Sequence, residues 1–185
     1  MSREYQQIVR FFSGHIVNHA AYLETEEGFD RYLQDTGVRH TNAAELIKPR
    51  HMSIARSLGF TDFLPPRDWW PRSAALGMVF TRLREHVDAP IYIYNAYRPQ
   101  EYNSHPSIGG AAASDHITNH AWDCDFNSAE NRRKAEEWLR QYYDMPLLEM
   151  SLGLGGEKIH IGIRSPKGNR HWYYSSYPSS EKRPL

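Results

Sequence analysis

The sequence predicts an α+β domain built on a central, mainly antiparallel sheet flanked by helices, with an N-terminal helical extension. Three observations lead there. Apolar residues recur at helical spacing through most of the first half of the chain, short runs of β-branched and aromatic residues gather in the second half, and prolines and glycines punctuate the boundaries. Helices that lead and strands that cluster later favour antiparallel pairing over the alternation of a parallel α/β sheet.

Residues 1–39 read as two amphipathic helices, about 3–22 and 27–36, the second stopped at Asp35-Thr36-Gly37. They form the extension, and residues 40–185 the main domain. Asn42 followed three residues later by Glu45 has capping-box spacing and opens a short helix that Pro49 stops. Another spans Met52–Leu58 and ends at Gly59. Phe63-Leu64-Pro65-Pro66 is extended, because each residue before a proline is pushed out of the helical region. Pro71 suits the first turn of a longer helix, along which Leu76, Val79, Phe80, Leu83 and Val87 share a face until Pro90. Ile91–Asn95 is a strand, followed by a turn at Tyr97-Arg98-Pro99, and Gly109–Ala113 is a small-residue loop. Trp122–Phe126 is a second strand and Ser128 caps a helix through about Tyr142. Strands near Leu147–Met150 and Lys158–Arg164, with a glycine loop at Gly153–Gly156 between them, complete the sheet.

Composition narrows the function. Lysine plus arginine and aspartate plus glutamate both number 22, so there is no cationic excess for nucleic acid. Cys124 is the only cysteine, which excludes an intrachain disulfide and a cysteine zinc knuckle. The first twenty residues carry no signal-like apolar run, and no later stretch is apolar for long enough to insert in a membrane. The chain is therefore expected to be synthesised in the cytoplasm without a signal peptide.

The chemistry concentrates in Ser114–Phe126, where two histidines and three aspartates precede or occupy a strand. Period-2 alternation puts Trp122, Cys124 and Phe126 on the buried face and Asp123 and Asp125 on the other. Asp123 can thus meet a ligand held by the preceding loop, where His116 sits seven residues earlier; Cys124 points the wrong way and is read as a small buried hydrophobe. In Glu157–Ile163 the isoleucines alternate with His160, which faces away from the apolar side beside Gly162. Two imidazoles and one carboxylate form a set suited to zinc, with the fourth position left for water. A nearby glutamate could accept that water's proton. His116 with His120 and His15 with His19 have i,i+4 spacing but lack the glutamate of a zinc-binding helix. Asp125 is a candidate for orienting a ligand, and Trp172-Tyr173-Tyr174 reads as packing rather than a substrate platform.

Ser114-x-His116-x6-Asp123 followed by Glu157-x-x-His160 resembles the zinc peptidases of the D-Ala-D-Ala carboxypeptidase and L-alanyl-D-glutamate endopeptidase family, whose core is shared with the hedgehog signalling domain. Asn95-Ala96-Tyr97-Arg98-Pro99-Gln100-Glu101-Tyr102-Asn103 is similar to that family's Ser-Gly-Tyr-Arg-Ser-x-x-x-Asn, and Gly109-Gly110-Ala111 to its Gly-Gly-Ala. A leader with Glu45-Leu46 and Arg56-Ser57-Leu58-Gly59 resembles phage-encoded and bacterial members, so the likeness covers about residues 40–165.

The resemblance implies a hedgehog/DD-peptidase-like fold with Zn2+ on His116, Asp123 and His160. Glu157 would be the general base, Glu149 a second candidate for that role, and Arg98 would bind a substrate carbonyl, carboxylate or oxyanion. Ser114 and Tyr97 would line the substrate groove. Two departures stand out. Asn119 replaces the family glycine but tolerates a left-handed turn, and Asn95-Ala96 replaces Ser-Gly, which bears on substrate contacts rather than on the metal. The implied activity is hydrolysis of peptidoglycan stem or cross-bridge peptides next to a D-amino acid, reached after phage-type release to the wall. A non-catalytic zinc-binding module of the same fold, or a phage virion or assembly protein, is the alternative.

Overall fold

The computed structural model describes residues 18–143 and 148–183. Most of the helix expected over residues 3–22 lies outside them; inside them, Asn18 caps a single 3-10 turn at His19–Ala21. Helix α1, Glu26–Asp35, starts where the Thr25 hydroxyl accepts from the Gly28 amide, and Glu26 and Glu27 complement the positive end of its dipole. Its inner face buries Phe29, Tyr32 and Leu33, with the Phe29 and Tyr32 rings 5.0 and 5.7 Å from the Trp70 ring. These residues share one hydrophobic core with the sheet.

Asn42 caps α2, Ala43–Ile47, as its spacing predicts, but Glu45 does not close the box back onto Asn42. Its carboxylate accepts from the Ile93 amide at 2.9 Å and from Thr41 at 2.8 Å instead. That contact satisfies an edge-strand amide that would otherwise be left open. After α3, Met52–Ser57, the long helix α4, Trp70–Val87, runs along the core and ends with Asp88 in a left-handed conformation.

Five strands form one sheet: β1 (Ile91–Asn95), β2 (Ala121–Phe126), β3 (Ser151–Leu154), β4 (Lys158–Gly162) and β5 (Arg170–Tyr173), in the order β1-β2-β4-β3-β5. All pairs are antiparallel except β3 with β5. Short α5, Gln100–Asn103, follows the turn after β1, and α6, Ala129–Arg140, is capped by Ser128 as expected. Ile91, Ile93, Trp122, Cys124, Phe126, Leu152, Leu154, Ile159 and Ile161 form the buried face, against α1, α4 and α6. The opposite face carries the polar residues.

Three strand expectations change. The strand expected at Leu147–Met150 begins at Ser151, because Glu149 adopts φ +40 and cannot extend the ladder; Leu147 lies outside the described residues. The glycines expected in a loop lie partly in β3, where a Cβ at Gly153 would come within 2.5 Å of the Trp172 indole. Strand β4 stops at Gly162 rather than 164, two residues before Arg164 turns left-handed. Strand β5 had no clear signal, since its residues read as packing.

Candidate metal centre

A single row of register partners crosses the whole sheet: Asn95, Asp123, His160, Gly153 and Trp172. A bulge in β1 makes the row possible. Ile93 pairs with Cys124 on the core side, yet Asn95, two residues on, pairs with Asp123 on the other face. The bulge thereby aims Asn95 at the Asp123 carboxylate.

His116 is brought to the row by the loop before β2. Asn119 takes the left-handed conformation anticipated for the family glycine, φ +57, and its side-chain amide donates to the Trp69 carbonyl and to the Ser73 hydroxyl on α4. The Arg98 amide donates to the His116 carbonyl at 3.1 Å, tying this loop to the turn after β1. His116 Nδ1 lies 2.7 Å from the Ala96 carbonyl oxygen. A carbonyl only accepts, so Nδ1 carries a hydrogen and Nε2 is the nitrogen left to face the site.

Three atoms then converge. His116 Nε2 is 3.1 Å and His160 Nδ1 2.9 Å from Asp123 Oδ1, and all three candidate ligand atoms lie within 4.8 Å of one another. Tetrahedral zinc with bonds of about 2.0–2.1 Å separates neighbouring ligand atoms by about 3.3 Å. The donor set and its spacing therefore fit such an ion. The other Asp123 oxygen is already satisfied, by Asn95 Nδ2 at 3.0 Å and Arg98 Nη2 at 2.6 Å. All three residues are buried. Burial alone would raise the Asp123 pKa, but the two imidazoles hold it well below the usual carboxylate range. Burial lowers that of His116, which favours the neutral form a metal needs.

The three residues open into a cavity of 540 Å³ that is also lined by Arg50, Arg98, Arg170, Tyr94, Trp172 and Tyr174. Arg50 lies over the Tyr94 ring at 4.6 Å, and the Trp172 and His160 rings are 5.0 Å apart. Arg98 Nε and Arg170 Nε are buried donors without a hydrogen-bond partner among the described residues.

The structure brings together His116, Asp123, His160, Arg98 and Ser114, which all line this cavity. It does not bring in Tyr97, Glu157 or Glu149. Tyr97 packs edge-on against Trp69, 5.7 Å away. Glu157 is exposed at the hairpin end before β4 and is not among the lining residues. Three residues along a strand is an odd step, which puts it across the sheet from His160 and about 10 Å along the chain. Glu149 is exposed too and lies outside the lining. Asp125 does not orient a ligand; its carboxylate is 3.9 Å from Lys158 Nζ, outside the cavity. Cys124 is buried on the core face as read, with its thiol pKa pushed well up by burial. Trp172 and Tyr174 wall the cavity, contrary to the packing reading, while Tyr173 packs on Tyr177.

Asn95 was missed as a site residue because strict alternation sends it to the core. Its signals were a polar side chain ending an apolar run and the Asn95-Ala96 departure from Ser-Gly, which was read as bearing on substrate contacts, whereas Asn95 contacts the candidate ligand Asp123. The wall residues Arg50 and Arg170 carried no motif.

Comparison with curated proteins and with solved structures finds no match. A family model described as Peptidase M15 matches residues 63–163. That stretch contains β1, β2, β3 and β4 with His116, Asp123 and His160, and spans more than half of the chain. The chain belongs to the peptidase M15 family of zinc-dependent metallopeptidases.

Proposed function

We propose that the protein is a zinc peptidase that hydrolyses peptidoglycan stem or cross-bridge peptides at a bond next to a D-amino acid. The observation that carries this reading is the buried His116–Asp123–His160 set at the floor of an arginine- and aromatic-lined cavity. A zinc ion held by these residues supplies Lewis acidity and makes water acidic enough to act as a nucleophile near neutral pH.

The remaining work falls to the chain. Asn95 and Arg98 engage one oxygen of Asp123 and leave the other for the metal. The Arg98 and Arg170 guanidiniums, paired with Asp123 and Asp115, line the cavity beside the site and bring cationic N–H groups to where a substrate carbonyl or carboxylate would lie. Arg50 over Tyr94 offers a further cation, and no carboxylate is paired with it among the described residues. Such a wall suits a peptide bearing free carboxylates, which peptidoglycan stems do. Access to the wall by phage-type release belongs to the same proposal.

One observation favours a second reading, a zinc-binding module without turnover: the exposed Glu157 lies outside the cavity. Metal analysis of the purified chain, coupled to digestion of purified cell walls with product mass spectrometry, separates the two. The peptidase reading expects about one zinc per chain and fragments heavier by one water. Zinc without fragments would establish the module, and neither zinc nor fragments would overturn both.

A further inference from the structure

Ser151, at the start of β3, is paired with Gly162 and shares a face with Gly153, the partner of His160. Its hydroxyl donates to Asp115 Oδ2 at 2.7 Å and lies 3.4 Å from His160 Nε2. Asp115, in the loop beside His116, is almost fully buried and also accepts from Ser165 Oγ at 3.1 Å and from Arg170 Nη2 at 2.5 Å. Gly162 clears the volume these groups need. A Cβ there would overlap the Ser151 hydroxyl and sit 3.3 Å from Asp115 Oδ2.

The chemistry of these groups sets a direction. An ionised carboxylate only accepts, and three donors converge on this one. The single hydroxyl proton of Ser151 therefore points at Asp115, and the lone pairs of its oxygen face His160 Nε2. Nε2 therefore carries a hydrogen, while the 2.9 Å gap between Nδ1 and Asp123 Oδ1 needs a proton or a cation to bridge it, so a metal ion there would take the Nδ1 lone pair. We infer that Asp115 and Ser151 are positioning residues: a carboxylate–hydroxyl–imidazole chain that fixes the tautomer and ring orientation of His160 for binding a metal through Nδ1. The inference rests on the metal reading above. His116 reaches the same end by a different route, through the Ala96 carbonyl, so loss of the chain affects one ligand only.

Partners of this kind are worth about 10–100-fold in metal affinity. The 3.4 Å contact is longer than the 2.7 Å bond that holds His116, which puts the effect near the lower end. The test is zinc affinity of the full chain, measured by competition with a chromophoric chelator. Ser151→Ala should weaken binding roughly tenfold, whereas Ser165→Ala, which touches Asp115 but not His160, should stay within twofold of wild type. A purely structural role for the Asp115 cluster would move both variants alike. A second measurement needs no variant: nitrogen NMR of the zinc-loaded wild-type chain should find the His160 hydrogen on Nε2. Unchanged affinity in Ser151→Ala, equal losses in both variants, or a hydrogen on Nδ1 would each overturn the inference while leaving zinc binding itself intact. A wild-type chain that takes up no zinc would instead sink the metal reading, and this inference with it.

Discussion

Removing the His160 imidazole is the most direct test of the metal centre. Apparent zinc binding in four-ligand sites runs to about 10–16 kcal/mol, a share of about 2.5–4 kcal/mol per ligand. Loss of one ligand then weakens binding by about 10²–10³-fold. The consequence is measurable as stability. At a free zinc concentration about 100 times Kd, the wild-type chain gains about 2.7 kcal/mol, equivalent to roughly 5–10 °C in Tm for a domain of this size. The same zinc concentration falls at or below Kd for His160→Ala, so its melting point should rise by about 2 °C at most. Melts with chelator give the baseline and remove any direct packing effect of losing a ring that lies against Trp172. Elemental analysis after dialysis against limiting zinc should show about one ion per wild-type chain and little in His160→Ala or His116→Ala. Asp125→Ala, on the same strand but outside the cavity, serves as the control. Full zinc retention and a full stability gain in both histidine variants would refute the assignment.

Glu157→Gln tests the base implied by the resemblance. Its exposed position outside the cavity predicts turnover within a few-fold of wild type, and a loss of about 10²-fold or more with zinc retained would show that Glu157 is the base after all. His120 offers a pH test, because burial, reinforced by Arg72, lowers its pKa to about 4. In the unfolded chain it titrates near 6.5, so between about pH 6.5 and 4 only the unfolded state binds that proton and stability falls with pH. His120→Gln should flatten this acid limb by about 1 kcal/mol after allowance for partial exposure; equal slopes in melts at several pH values would exclude it as the source. Phe29→Ala should destabilise the chain by about 3–5 kcal/mol, because its side chain is fully buried against Trp70. A loss under 1 kcal/mol in urea unfolding would show that α1 is peripheral to the core.

The legible parts of the sequence were those governed by local rules. Caps at Asn42 and Ser128, the helix after Pro71 and the alternation in Trp122–Phe126 each follow from neighbouring residues, and the structure keeps them. His116, Asp123 and His160 could be read as one candidate set because motif spacing and face agreed, and the structure brings their ligand atoms within 4.8 Å of one another. The misreadings came where tertiary contacts decide. Gly153 reads as a loop residue in isolation but sits in β3 because Trp172 occupies the space a side chain would take. Asn95 sits on the polar face only because a bulge breaks the alternation. Asp115 and Ser151 are 36 positions apart, and their hydrogen bond has no local signature.

The sheet order sets the strand-borne candidate ligands inside the sheet and much of the cavity wall at its edge. Both strand-borne candidate ligands, Asp123 and His160, belong to the interior strands β2 and β4, whereas Arg170, Trp172 and Tyr174 come from or directly follow β5, an edge strand held by parallel pairing alone. This edge also lies beyond residues 63–163, the stretch shared with the family. Changes at Tyr174, just past β5, are expected to alter which peptide is accepted, whereas changes at Trp172 also reach His160, whose ring lies 5.0 Å away.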